Sequence, residues 1–233
     1  MMNQKNTRWM SKIAAQALVL GFVPATAALA ADSGFYFGIT GGLATFDLPS
    51  KGSIDEFVEE LFVDDGLVME SSSLDDDDTA WGLQVGYRWN PYVAAEVGYV
   101  NFGTAEYWAT PEGVDADLSV RVRSSGPTLS VLGMLPLGER FDLHARAGVY
   151  FADSRLRYRE QNYDADEAYS EEFKPSSENP FVGLGAAWNI NDSYSVRIEY
   201  QRFFDVGGTV DVFGDKIDLE TDIDLLSFSV LFR

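Results

Sequence analysis

Apolar and polar residues alternate along most of this chain, most clearly at its end. Counting back from Phe232, the residues Phe232, Val230, Phe228 and Leu226 are apolar, and Ser229 and Ser227 fall between them. Such a segment predicts a β-strand with one greasy and one small polar face. The same rule holds upstream. Trp81, Leu83, Val85, Tyr87 and Trp89 oppose Gly82, Gln84, Gly86 and Arg88, and Val93, Ala95, Val97 and Tyr99 oppose Ala94, Glu96 and Gly98. Phe141, Leu143, Ala145, Ala147, Val149 and Phe151 oppose Asp142, His144, Arg146, Gly148 and Tyr150. Val182, Leu184, Ala186 and Trp188 oppose Gly183, Gly185 and Ala187, and Val196, Ile198 and Tyr200 oppose Ser195, Arg197, Glu199 and Gln201.

Two further segments, about 34–46 and 118–135, are less regular. In the second, Ser124-Ser125-Gly126 and Pro127 predict a bulge and leave its faces unassigned. The count is then eight strands. Their connections alternate between long (47–79, 107–117, 157–178, 206–220) and short (90–91, 136–140, 190–193). An even strand number with short turns at one end and long loops at the other predicts an all-β, eight-stranded antiparallel up-and-down transmembrane β-barrel with long extracellular loops.

A soluble barrel of lipocalin type would turn the apolar face inward. Three features oppose it. The apolar face of the five well-phased internal strands carries no charge, and the other face is Gly- and Ser-rich with charges of both signs, as suits a narrow packed lumen. Trp81 and Trp89 stand eight residues apart, roughly 26 Å of strand, near the height of an apolar band between aromatic girdles.

The N-terminus follows a different rule. Lys5, Arg8 and Lys12 precede the short apolar run Ile13 to Val23, and Ala28-Leu29-Ala30 supplies small residues for cleavage. Residues 1–30 thus predict a secretory signal peptide, leaving a barrel domain of 31–233. The run is too short to span a bilayer, and no later stretch reaches about 18 apolar residues.

Charge narrows the functions. The chain carries 17 basic and 37 acidic residues, and loss of the three basic residues of the signal leaves 14 − 37 = −23. This excludes a nucleic-acid partner, which wants a basic face. No cysteine is present, so disulfides, thiolate metal sites and thiol nucleophiles are ruled out. The only histidine, His144, lies near the short-turn end, the wrong end for the rim chemistry of barrel enzymes, and with neither a Cys nor a second His the chain offers no convincing nucleophilic dyad. No catalytic residue and no cofactor are expected.

Two motifs carry a likeness. The segment 90–103, NPYVAAEVGYVNFG, resembles the second hairpin of OmpA-like small outer-membrane barrels, and 194–203, YSVRIEYQRF, resembles their seventh strand. Phe232 resembles the terminal aromatic of their last strand. The likeness runs over the whole chain after the signal. It implies residence in the outer membrane of a Gram-negative bacterium, contact with outer-membrane lipid and lipopolysaccharide, and recognition of Phe232 by the barrel assembly machinery. It also implies a structural or surface-interaction role in a monomer. The likeness is to the barrel alone, so no peptidoglycan-binding module is expected, and Arg233 stands after the terminal aromatic, both departures from the pattern.

Three groups are candidate sites. Arg88, Glu96, Arg146, Arg197 and Glu199, with Arg121 as a further candidate, predict a lumen charge network: a packed plug, or the gate of a narrow porin-like channel for ions or small solutes. In the first long loop, Ser53 and Glu56 fit a capping box. Ile54, Phe57, Val58, Leu61 and Phe62 then follow helical spacing opposite Asp55, Glu56, Glu59 and Glu60. This predicts a short amphipathic helix, either packed on neighbouring loops or serving as a lid or an adhesin contact. The run Asp75, Asp76, Asp77, Asp78 is a candidate for divalent cations, though it lacks the spacing of an EF-hand and suits a solvated stretch as well.

Overall fold

The computed structural model describes residues 33–48, 52, 69–111, 116–162, 167–173, 176–212 and 215–233. The segment 1–30 and the expected helix with Ile54, Phe57, Val58, Leu61 and Phe62 lie outside them. Among the described residues the strands are β1 (Gly34–Phe46), β2 (Met69–Asp75), β3 (Asp77–Asn90), β4 (Val93–Pro111) and β5 (Ala116–Leu137). They continue as β6 (Phe141–Asn162), β7 (Glu167–Phe173), β8 (Ser176–Asn189), β9 (Tyr194–Val212) and β10 (Asp215–Phe232). β2 and β3 pair with successive parts of β4, as β7 and β8 do with β6, so each couple is one interrupted wall. The eight walls close antiparallel, each on its sequence neighbour, and β1 meets β10 from Phe37↔Phe232 to Phe46↔Ile223.

The short turns have local chemistry behind them. Asn90 Oδ1 accepts from the backbone N–H of Tyr92 (2.8 Å) and Val93 (2.9 Å). Asn191 Oδ1 does the same for Ser193 and Tyr194, both at 2.9 Å. These Asx turns reverse the chain in few residues.

The alternation resolves as expected for a barrel in lipid. Outward apolar side chains are bare: Phe35 is 74% exposed and Leu184 67%, whereas Glu96 and Glu199 in the lumen are 2% exposed. A water-soluble barrel would reverse those figures. Aromatics ring the short-turn end, with Phe35 against Tyr87 (4.8 Å), Tyr194 against Phe232 (5.5 Å) and Phe141 stacked on Trp188 (6.3 Å). Trp81 and Tyr99 (6.1 Å) belong to the opposite girdle.

Two expectations need correction. Three of the four long loops are largely strand: 107–111, 116–117, 157–162, 167–173, 176–178, 206–212 and 215–220 all lie in β-structure that lengthens the walls. Acidic side chains lower β-propensity, but a strand already paired to its neighbour overrides it. The bulge expected at Ser124–Pro127 lies instead on the facing strand. Between Asn101 and Thr104 the register of β4 with β5 slips by one, with Phe102 and Gly103 opposite Ser124. Gly103 has φ +82, and a Cβ there would run into the Asp78 carboxylate, so glycine is required. Asn101 Oδ1 takes the Gly103 N–H (2.9 Å), and Asp78 Oδ2 takes that of Thr104 (2.7 Å). A second bulge interrupts β9 at Phe204–Asp205, opposite Asp222, and Asp205 has φ 52.

Candidate functional site

Midway along the lumen the inward phases of β1, β4, β6 and β9 converge on one charge belt. Arg146 reaches Glu96 Oε2 with Nη2 (2.5 Å) and Glu199 Oε1 with Nε (2.7 Å). Its N–H bonds point off those oxygens, so the attraction is mainly Coulombic. Arg197 Nη1 donates to Glu96 Oε1 (2.8 Å) and lies 3.9 Å from Glu199 Oε2. Two guanidiniums and two carboxylates therefore balance in a space of low dielectric, where an unpaired ion costs several kcal/mol. Tyr36 donates its hydroxyl to Glu96 (2.6 Å), and His144 Nε2 sits 3.4 Å from Glu199.

Four of the five residues expected in the network, Glu96, Arg146, Arg197 and Glu199, come together in this belt. Arg88 is buried nearby but belongs to a separate group at the short-turn end. There it faces Asp142 (3.5 Å) and donates to the carbonyls of Pro91 (2.8 Å) and Asn90 (3.2 Å). Arg121 is not in the lumen: it is an outward side chain, 51% exposed, paired with Glu106 (2.8 Å). Tyr36 and His144 are the partners the sequence did not assign. His144 was visible on the polar face, but only the register of β6, β8 and β9 brings it to Glu199.

The belt leaves little room. A cavity of about 20 Å³, lined by Tyr36, Asp142, His144 and Arg197 among others, lies towards the short-turn end, space for roughly one water. Glycines make the packing possible: a Cβ on Gly86 would collide with the Tyr36 ring, and one on Gly183 would stand 2.8 Å from Glu199 Oε1.

Beyond the belt, an aromatic layer closes the lumen again. Phe102 meets Phe203 edge-on (4.8 Å) and Tyr150 (5.4 Å), and Phe181 stacks on Phe203 (4.6 Å). Phe46, Ile223 and Leu225 complete the layer, each 2% exposed or less.

Outside the barrel, beyond the far girdle, Arg202 is held by three carboxylates: Asp222 (2.8 Å), Asp47 (3.2 Å) and Asp224 (3.2 Å). The N–H of Asp205 (3.0 Å), followed by Arg202, holds the Asp222 carboxyl below the usual carboxylate range. The run Asp75 to Asp78 is not gathered into a cluster. Asp75 ends β2 and Asp77 and Asp78 begin β3, and alternation along strand sends successive carboxylates to opposite faces. Asp77 takes the Thr45 hydroxyl (2.5 Å), and Asp78 serves the backbone at Thr79 and Thr104. Among the described residues no group of three or more acidic, His or Cys side chains is placed to hold a metal.

The family model described as the OmpA-like transmembrane domain matches residues 30–233. The chain belongs to that family. Its OmpA-like barrel is 25% identical over 172 residues to Outer membrane protein A of Escherichia fergusonii, covering 73% of this chain and 44% of that protein. It is 24% identical over 174 residues to the Klebsiella pneumoniae protein of the same name, covering 74% and 46%. The chain thus spans less than half the length of these relatives. Among solved structures, OprG of Pseudomonas aeruginosa is similar at 15% identity and TM-score 0.44, covering 86% of this chain and 97% of that one. Neisserial surface protein A is similar at 10% identity and TM-score 0.42, covering 85% and 96%. As an OmpA-like outer-membrane barrel, the chain gathers its short connections at one end and its extended walls at the other.

Proposed function

We propose that this protein is a closed, non-catalytic barrel that serves as a structural element of the outer membrane and carries a surface for interaction. The supporting observation is that the lumen is filled twice in succession, by the Glu96–Arg146–Arg197–Glu199 belt and by the Phe102–Tyr150–Phe181–Phe203 layer. An eight-stranded barrel has room for side chains and little else. What varies freely is then the wall beyond the girdle. Outer-membrane lipid and lipopolysaccharide surround it, and divalent cations offset its acidic side chains. Phe232, paired at the seam with Phe37, serves the assembly machinery. The protein works as a monomer after removal of residues 1–30.

Reconstitution in planar bilayers tests this reading. The expected result is the absence of reproducible conductance steps. Reproducible steps in the wild type would contradict a filled lumen; steps that appear only in Phe102→Ala would agree with one, because removing packing widens a path.

A second reading, a gated ion path, draws on one detail: Arg197 stands between two carboxylates, at 2.8 Å and 3.9 Å, and exchange between them shifts charge across the lumen. It requires conductance that Arg197→Ala alters. An adhesin role through residues 53–69 requires that their deletion abolish binding to cells while the barrel still folds.

A further inference from the structure

One outward face runs against the character of the whole chain. On β5 and β6, beyond the girdle, Arg121, Arg123, Arg155, Arg157 and Arg159 are all exposed, in a protein of net charge −20. Strand register sets them in rows. The row nearest the membrane runs Thr104↔Arg123↔Arg155, the next Glu106↔Arg121↔Arg157↔Glu172, and the third Trp108↔Ser119↔Arg159↔Ser170. Arginine thus faces arginine directly in two successive rows, an arrangement that destabilises a strand pair.

The counter-ions are distributed unevenly. The second row is flanked by glutamates, with Arg121–Glu106 at 2.8 Å and Arg157–Glu172 at 3.0 Å. In the first row Arg123 Nε donates only to Thr104 Oγ1 (3.1 Å). Among the described residues no carboxylate lies within ion-pair distance of Arg123 or Arg155. Asp153, one step nearer the membrane on β6, faces Ser125 and pairs with neither. The contrast is Arg202, on the other side of the barrel, which is supplied with three carboxylates. A depression of about 130 Å³ lies among Thr104, Arg121, Arg123, Arg155, Arg157 and Glu172.

The depth of the site selects the kind of anion. Arg155 follows Phe151 by four positions, and Arg123 precedes Pro127, the partner of the girdle residue Tyr99, by four. Four residues of strand are about 13 Å, or about 10 Å of height once the strands tilt. That is headgroup level. Directly below on the same face are the exposed lipid-facing side chains of Val149, Leu129 and Val131. A ligand seated on the arginines therefore has an apolar wall beneath it. Guanidinium forks match phosphate oxygens geometrically and electrostatically.

We propose that Arg123 and Arg155, flanked by Arg121 and Arg157, bind the phosphate of an acylated outer-leaflet lipid whose chains descend along Leu129, Val131 and Val149. The bound phosphate would relieve both Arg–Arg pairs, and the membrane depth of the rows rests on the barrel's placement in the outer membrane.

The test uses the full barrel in phosphatidylcholine nanodiscs, titrated with fluorescent bisphosphorylated lipid A and with the same lipid after dephosphorylation. The wild type should bind the phosphorylated lipid at least tenfold more tightly. Arg123→Gln/Arg155→Gln should lose that preference, and Arg202→Gln, which alters a charge elsewhere, should keep it. The single variant Arg155→Gln, which leaves one arginine in the row, should lose part of it, and heat-modifiable migration verifies folding of each. Equal binding of the two lipids by the wild type, or an unchanged preference in Arg123→Gln/Arg155→Gln, overturns the proposal. Full displacement by millimolar inorganic phosphate would make the site one for free anions and would overturn its assignment to lipid.

Discussion

Removing Glu96 is the sharpest probe of the lumen. Its carboxylate receives the Tyr36 hydroxyl at 2.6 Å and Arg197 at 2.8 Å, and lies 2.5 Å from Arg146. Glu96→Ala leaves Arg146 and Arg197 with Glu199 alone, so one buried positive charge is uncompensated. Breaking a buried pair in this way costs about 3–5 kcal/mol, a large part of the 5–15 kcal/mol or so that holds an ordinary domain together. Glu96→Gln keeps an acceptor for Tyr36 and should lose less. Glu96→Ala/Arg197→Ala restores charge balance, so its loss should fall short of the sum of the two single losses by about 1–3 kcal/mol. Urea unfolding of vesicle-reconstituted barrels, followed by tryptophan fluorescence, measures all four proteins. A loss below about 1 kcal/mol for Glu96→Ala would refute the reasoning, since it would mean that water screens the belt.

Three other outcomes follow from the geometry. Gly86→Ala places a methyl group against the Tyr36 ring; overpacking of this kind costs about 1–3 kcal/mol, read as a lower temperature of the heat-modifiable transition. Gly103→Ala combines a positive φ with a collision at Asp78 and should cost more than the roughly 1 kcal/mol of a simple backbone penalty. Adding Asp78→Ala should recover part of the loss, and no recovery would mean that the collision is unimportant. Asp222, with its carboxyl pKa lowered by the Asp205 N–H and Arg202, contributes stability that is full above the usual aspartate value near 3.9 and is lost as pH falls through its own lower midpoint. Carboxyl ¹³C titration should place that midpoint below 3.9; a value at or above it would contradict the assignment.

The membrane part of this barrel was legible because the lipid-facing pattern is local. Each outward residue on β3, β6, β8 and β9 can be named from its own strand, and Asn90 and Asn191 mark their turns without reference to anything distant. Pairings were less legible because they depend on closure. The Tyr36–Glu96 and His144–Glu199 contacts bridge residues 60 and 55 positions apart. By sequence Arg121 is a lumen candidate because the phase of β5 is ambiguous around Pro127; the register slip lies on the neighbouring strand at Gly103, so β5 keeps its phase and Arg121 faces outward. The acidic stretches suggested loops for a similar reason: their own composition disfavours strand, and the pairing that overrides it is supplied by another part of the chain.

The two bulges occupy opposite walls of the barrel, β4 and β9, and Phe102, within the first, and Phe203, just before the second, touch across the lumen. Each inserts one residue, so the inside–outside phase of its strand resets at that level. Below the joint, a substitution is answerable to lipid and to the charge belt. Above it, on these two strands, the same parity of residue number faces the other way. Two of the eight walls are therefore written in two reading frames, while β5 and β6 carry one frame from the membrane into the extended wall.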